Sequence, residues 1–208
     1  MKNIPWFLVI IFIFIMIRTC RSIFIIFFTF IITLSFVRKP IFADSAKKDQ
    51  ISINISNSTT RHPLRVLKNF DRLHFEEMYM LVLQYSQPDE IFRLNGKRNF
   101  EIISWFTFSN NEFSKYNQTF IGISQDVIFN ISKNIYFGGG LGMYIKDKKT
   151  DRIGSQFTFG QSYFIGYNIK NTVELELIVR HFSNGGLTEI NHGQNFIGLK
   201  INYNLGGY

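Results

Sequence analysis

The feature that most narrows the fold is an alternation that repeats along the C-terminal two-thirds of the chain. Seven segments of strand length follow one another, at 77–86, 98–108, 118–130, 134–145, 156–168, 173–184 and 195–205. Residues that accept turn geometry, chiefly Gly, Asn, Asp and Ser, separate them. Successive side chains of a strand point to opposite faces, so each segment sorts into two sets. In 173–184, Val173, Leu175, Leu177, Val179, His181 and Ser183 oppose Glu174, Glu176, Ile178, Arg180, Phe182 and Asn184. In 134–145, Ile135, Phe137, Gly139, Leu141, Met143 and Ile145 oppose Tyr136, Gly138, Gly140, Gly142 and Tyr144. In 195–205, Ile197, Leu199, Ile201, Tyr203 and Leu205 oppose Gly198, Lys200, Asn202 and Asn204. A soluble barrel needs bulky apolar residues inside. Large apolar residues on one face with small and polar ones on the other belong to a barrel whose outside meets lipid. The pattern predicts an all-β fold: an eight-stranded antiparallel transmembrane β-barrel of the bacterial outer membrane. A lipocalin-like binder would require the apolar face to turn inward.

Seven segments leave one strand to find, because a bacterial barrel with both ends in the periplasm has an even number. The alternating stretch 50–56 (QISINIS) is the preferred first strand, running outward; 109–117 is the other candidate. In that register the turn at 132–133 is periplasmic, and the loops 146–154 and 185–194 are extracellular. The third-residue spacing of Leu64, Leu67, Phe70 and Leu73 allows a short amphipathic helix. Tyr208 suits the end of an outer-membrane strand.

The first 43 residues read differently. Apolar runs at 5–17 and 22–37 flank Arg18 and Arg21, and Ala43 precedes the first acidic residue, Asp44. This predicts a secretory signal peptide over 1–43, with Met16 as an alternative start; a retained anchor is the competing reading. A polar segment, 44–74, and a barrel, 75–208, follow. The formal charge of +8 comes largely from the leader: without its five basic residues the chain has 18 basic against 15 acidic. Nothing in that balance points to nucleic acid. The single cysteine, Cys20, falls in the leader and follows Thr19, unlike a lipoprotein site. The remainder has no disulfide and no thiolate metal site. No other metal site or cofactor is expected, because only His74 has carboxylates near it (Glu76, Glu77) and no second histidine stands at ligand spacing. The glycines at 138–142 lack the following helix and lysine of a phosphate loop. Glu174, Glu176 and Arg180, with Glu101 and Asp126, are expected to form an ion network inside the barrel.

One constellation points to chemistry. His181 and Ser183 are two apart and share a face. Asn184, Gly185 and Gly186 follow and offer an amide and exposed backbone N–H groups. Asn195 begins the next strand with the parity of Ile197, on the same outer face, where it could orient the histidine. Base, nucleophile, orienter and oxyanion donors make up acyl-transfer machinery.

These residues resemble the lipid A 3-O-deacylase family of outer-membrane barrels, the PagL type. The similarity runs from about Phe75 to Leu205 and is clearest in His181-Phe182-Ser183-Asn184-Gly185-Gly186-Leu187, followed by Asn191-His192-Gly193. Tyr136–Gly142 and Phe157–Gly160 support it. The resemblance implies a triad working on the lipid-facing exterior, with Ser183 as nucleophile, His181 as base, and Asn184 with the Gly186 N–H as the oxyanion hole. The family's type enzyme has a glutamate where this chain has Asn195; Glu189 in the same hairpin is the alternative orienter. The implied activity is that of a serine carboxylic-ester hydrolase removing a 3-hydroxyacyl chain from lipid A of lipopolysaccharide. The competing function is a non-catalytic structural or adhesive barrel. Lys146, Lys148, Lys149 and Arg152, on an extracellular loop, are expected to hold the phosphates of lipid A. The expected partners are lipopolysaccharide and membrane lipids, with no nucleic acid; a homodimer is compatible with the sequence.

Overall fold

The computed structural model describes residues 48–61, 73–91 and 94–205. The expected leader, the spacing through Leu64, Leu67 and Phe70, and Tyr208 lie outside them. Eight strands form one closed antiparallel barrel in chain order: β1 (Gln50–Thr59), β2 (Phe75–Ile91), β3 (Leu94–Phe106), β4 (Gln118–Asn130), β5 (Ile135–Lys146), β6 (Phe157–Lys170), β7 (Val173–Ser183) and β8 (Gln194–Asn204). The preferred first strand is therefore correct. The other candidate, 109–117, is a loop with one turn of 3-10 helix at Ser114–Tyr116. Closure comes from β1 pairing with β8, from Gln50↔Asn204 to Thr59↔Asn195. A single chain thus leaves no open edge, the condition for crossing a membrane with strands.

Strand ends differ from expectation mainly at β2, which runs on to Ile91 through 87–89, the stretch with turn chemistry. β1 pairs no further than Ser86, so Pro88 lies where β2 has one neighbour, the edge-like place where proline is tolerated. Next to it, opposite Gln87, β3 supplies Arg98, whose guanidinium meets Asp89 at 2.8 Å.

The alternation holds around the barrel. Ile51, Ile53, Ile55, Leu83, Ile102, Ile121, Leu177, Leu199 and Ile201 are exposed on the outside. Gln50, Ser52, Asn54, Glu101, Glu174, Glu176, Arg180, Lys200 and Asn202 are buried inside. Ion pairs join these interior charges: Arg180 to Glu101 at 2.5 Å, Lys200 to Glu176 at 3.1 Å and Lys97 to Glu174 at 3.3 Å. The Tyr136 hydroxyl donates to both Glu174 (2.7 Å) and Glu176 (2.8 Å). Asp126 takes its hydrogen bonds from Asn99 (2.8 Å) and Ser162 (3.4 Å).

The other half of the interior is more apolar than the expected small and polar lining. Towards the long loops it is filled by Met78, Met80, Ile103, Trp105, Phe120, Tyr144, Phe182 and Phe196, all buried in one cluster. Trp105 meets Phe120 edge-on at 4.6 Å and Phe182 at 5.5 Å. The glycines of β5 and β6 make room for such rings. A Cβ on Gly142 would fall 2.4 Å from the Tyr144 hydroxyl, and one on Gly166 2.2 Å from the Tyr136 ring. The lumen is therefore packed rather than open, apolar at the end that carries the catalytic candidates and ionic at the other.

Removing Arg180 alone leaves the Glu101 carboxylate buried without its cation. Arg180→Met is expected to destabilise the barrel by roughly 3–5 kcal/mol in urea unfolding from liposomes. The double change with Glu101→Met should recover most of it, because an apolar pair of similar volume leaves no charge to solvate.

Candidate active site

β7 and β8 build the candidate site at the outer end of the barrel wall. Their register places His181 directly opposite Asn195, and the Asn195 Oδ1 accepts a hydrogen bond from His181 Nδ1 at 2.8 Å. With the proton on Nδ1, the lone pair of the neutral imidazole lies on Nε2. Ser183 is the last residue of β7, two along from His181 on the same outward face, and both are half-buried. The alternation that puts Leu175 and Leu177 in lipid also puts His181 and Ser183 there, at the top of an aliphatic ladder. On the other side of β7, Ser183 pairs with Phe159 of β6, which stands edge-on to Phe157 at 5.1 Å. The serine is thus bordered by apolar surface suited to an acyl chain.

The loop 184–193 continues from Ser183 with three glycines at positive φ: Gly185 (64°), Gly186 (85°) and Gly193 (73°). That region of backbone space favours glycine. Gly193 has a second reason to lack a side chain, since a Cβ there would sit 2.7 Å from His181 Cε1. Its backbone is the surface against which the imidazole rests. Sequence reasoning noted this glycine only as part of a motif; its contact becomes visible once the hairpin closes.

Asn184 is fully buried and its carboxamide is committed within the loop. The NH2 donates to Thr188 Oγ1 (2.6 Å) and to the Ile190 carbonyl (3.0 Å), while Oδ1 accepts the Gly186 N–H (2.9 Å). The two expected oxyanion donors are therefore engaged inside the loop in this structure. Glu189 is exposed in the same loop, and the His181 Nδ1 that it was to orient is held by Asn195.

The basic loop requires a correction. Lys146 is buried, and its Nζ donates to the Ile153 carbonyl (3.0 Å) and Gln118 Oε1 (3.4 Å). It is the last residue of β5 and faces inward, so it anchors the loop rather than meeting solvent. Arg152 is also committed. Its guanidinium grips both Glu76 oxygens (2.8 and 2.9 Å), bonds Gln194 Oε1 and lies over the Tyr116 ring at 4.6 Å. Its backbone carbonyl accepts the His192 N–H at 2.8 Å. Arg152 thus ties the loop 147–156 to the loop that carries the site. Of the four, only Lys148 and Lys149 are exposed.

Among the described residues no cluster of metal-ligating side chains occurs. The assembly offers a base with a fixed tautomer, a neighbouring hydroxyl and a glycine-rich loop beside an apolar wall. Such an arrangement is suited to acyl transfer.

Residues 60–204 match the family model described as lipid A 3-O-deacylase (PagL). No curated protein sequence matches the chain. Among solved structures, the outer-membrane enzyme PagL is similar at 16% identity and a TM-score of 0.52, covering 74% of this chain and 98% of its own. Neisserial surface protein A (NspA) is similar at 10% identity and a TM-score of 0.52, covering 75% of this chain and 96% of its own. At these identities the structural likeness is one of fold.

Gly193→Ala should displace the His181 imidazole and strain the loop at a positive φ. An imidazole misplaced by about 1 Å costs on the order of a hundredfold in rate. The expected result is that fall in hydrolysis of a short-chain ester in detergent, with the barrel still folded by its gel mobility. Glu189→Ala should leave the rate unchanged.

Proposed function

The chain belongs to the lipid A 3-O-deacylase (PagL) family and is an outer-membrane β-barrel, and on that premise we propose that it is a serine esterase removing the ester-linked 3-O-acyl chain, a 3-hydroxyacyl group, from lipid A of lipopolysaccharide. The observation that carries this reading is the 2.8 Å bond from His181 to Asn195, which fixes the imidazole on the outward face that Ser183 shares.

That geometry supports the following steps. His181 Nε2 takes the proton of the Ser183 hydroxyl as Oγ attacks the ester carbonyl carbon, and the π pair moves onto the carbonyl oxygen. Collapse of this intermediate expels the sugar oxygen, which takes the proton from His181. Water then repeats the sequence on the acyl-enzyme and releases the fatty acid. The loop following Ser183 supplies the oxyanion donors. The Gly186 N–H is held by a neutral carbonyl oxygen, that of Asn184, and an oxyanion is the stronger acceptor. Asn184 keeps its NH2 in the loop and acts by shaping it. Lys148 and Lys149, exposed on the neighbouring loop, bind the phosphates in this reading.

Asn195 fixes the imidazole but, unlike a carboxylate, brings no negative charge to the imidazolium that forms. Ser183→Ala should abolish deacylation, read by mass spectrometry of lipid A, while the barrel still inserts. If the unmutated protein leaves lipid A intact in both detergent and membranes, the reading fails. Asn195→Ala should lower kcat, whereas Asn195→Glu should hold or raise it. Replacing Lys148 and Lys149 with Gln should slow turnover of lipid A more than that of an uncharged ester, and the difference should shrink as salt rises.

A further inference from the structure

Beside the candidate active site the outer rim contains a polar cleft of about 520 Å³, bordered by the ends of β1 and β8 and by the loop 147–156. We propose that this cleft is a saccharide subsite. It takes an uncharged, hydroxyl-rich sugar ring of the acylated glycolipid whose ester faces Ser183. The proposal rests on the esterase reading for the identity of the glycolipid, and on the cleft itself for its chemistry.

Position comes first. Asn195 and Gly193 line the cleft and also hold the His181 imidazole, one through its carbonyl oxygen and one by packing. Thr59 of β1, also on the wall, pairs with Asn195, which pairs with His181. The cleft therefore starts one to two strand spacings, roughly 5–10 Å, from the base. A sugar carrying an ester at Ser183 has its ring within that distance.

Charge comes second. The two carboxylates on the wall are each matched by a cation. Glu76 is held by Arg152 at 2.8 Å, and Asp151 by Lys115 at 2.8 Å. The hydrogen bond from Lys115 keeps the Asp151 carboxyl below its ordinary pKa, so it is ionised, an acceptor only, at neutral pH. With its guanidinium taken by Glu76 and Gln194, Arg152 offers no unpaired positive charge to a phosphate. A site without net charge but rich in donors and acceptors suits hydroxyl groups and disfavours a phosphate.

The third observation concerns Asn195. Its Oδ1 serves His181, and no described residue accepts a hydrogen bond from its NH2. A carboxamide on this wall donates to a ring or hydroxyl oxygen in the cleft while orienting the base. A carboxylate there could orient the base but could not donate. Asn195 thereby couples sugar binding to the position of His181. Thr60 and His192, exposed at the mouth, supply further hydroxyl and imidazole partners.

The test compares two esters of one acyl chain in detergent micelles: one on the 3-oxygen of N-acetylglucosamine, the other on p-nitrophenol. Thr60→Tyr puts a ring into the mouth of the cleft. It should lower kcat/KM for the sugar ester relative to the p-nitrophenyl ester by roughly tenfold or more. Equal change for both substrates, or none, overturns the proposal. A binding measurement separates it from the esterase reading. Saturation-transfer NMR of the free N-acetylglucosamine disaccharide on the Ser183→Ala protein should give a signal that Thr60→Tyr removes. No signal at millimolar saccharide, or a signal displaced by inorganic phosphate, refutes the subsite even if the enzyme is active. If the unmutated protein hydrolyses neither ester, the esterase reading falls, and the NMR result still decides the subsite.

Discussion

The structure depends on the pairing of β1 with β8. Lipid offers no hydrogen bonds, so an unpaired strand edge would leave each exposed N–H and C=O at a cost of several kcal/mol. The unbroken register from Gln50↔Asn204 to Thr59↔Asn195 removes that edge. Closure also decides what each face must be. The outside has to be apolar because it has no other partner, and the inside has to satisfy every polar group it contains. Ion pairs such as Arg180–Glu101 and Lys200–Glu176 follow from that requirement. They are weak as a source of stability, since desolvation offsets most of their attraction. Their consequence is intolerance of single losses.

The same closure makes the candidate site. His181 and Asn195 meet because β7 and β8 are adjacent in register, not because a loop brings them together. A site carried on paired strands is held more firmly than one on loops. The irregular element is the segment after Ser183, and this too is tied down: Asn184 bonds across it, and Arg152 clamps it from the neighbouring loop. The packed aromatic cluster around Trp105, Phe182 and Phe196 lies behind the wall that carries His181. Phe182 sits between His181 and Ser183 in sequence and points inward, so packing on its far side fixes the strand that presents both.

Much of this was legible in the residues. Parity alone identified the membrane barrel, because inside and outside are different solvents and each leaves its mark at every second position. The first strand was recoverable from QISINIS by the same rule. Parity held even where a face changes character along its length, but composition did not: Phe120, Phe182 and Phe196 follow the inward parity of their strands although the interior was expected to be mostly small and polar. Charge was read less well. Lys146 and Arg152 looked like a solvated basic loop, but Lys146 follows the inward parity of β5, and Arg152 finds Glu76, distant in sequence, across the rim. Such pairings depend on which loops the closed barrel brings together, and turn composition does not encode that.

Asn195 shows what the lipid-facing position asks of an orienting residue. An ionised carboxylate on this wall would be partly desolvated by lipid, and the cost of burying charge falls on the resting enzyme. A carboxamide avoids most of that cost and still accepts the bond from His181 Nδ1. What it gives up is felt only when the imidazolium forms, since no fixed negative charge then stands beside it. The trade is between a resting site that is cheap to hold in lipid and a transition state that is less well compensated. The NH2 of Asn195 alters that balance, because a residue lining the polar cleft then brings a donor that a carboxylate would lack. If a sugar oxygen takes that donor, the substrate itself orders the carboxamide and through it the base. Orientation lost in charge compensation is then recovered from substrate binding, the differential use of binding energy on which catalysis depends.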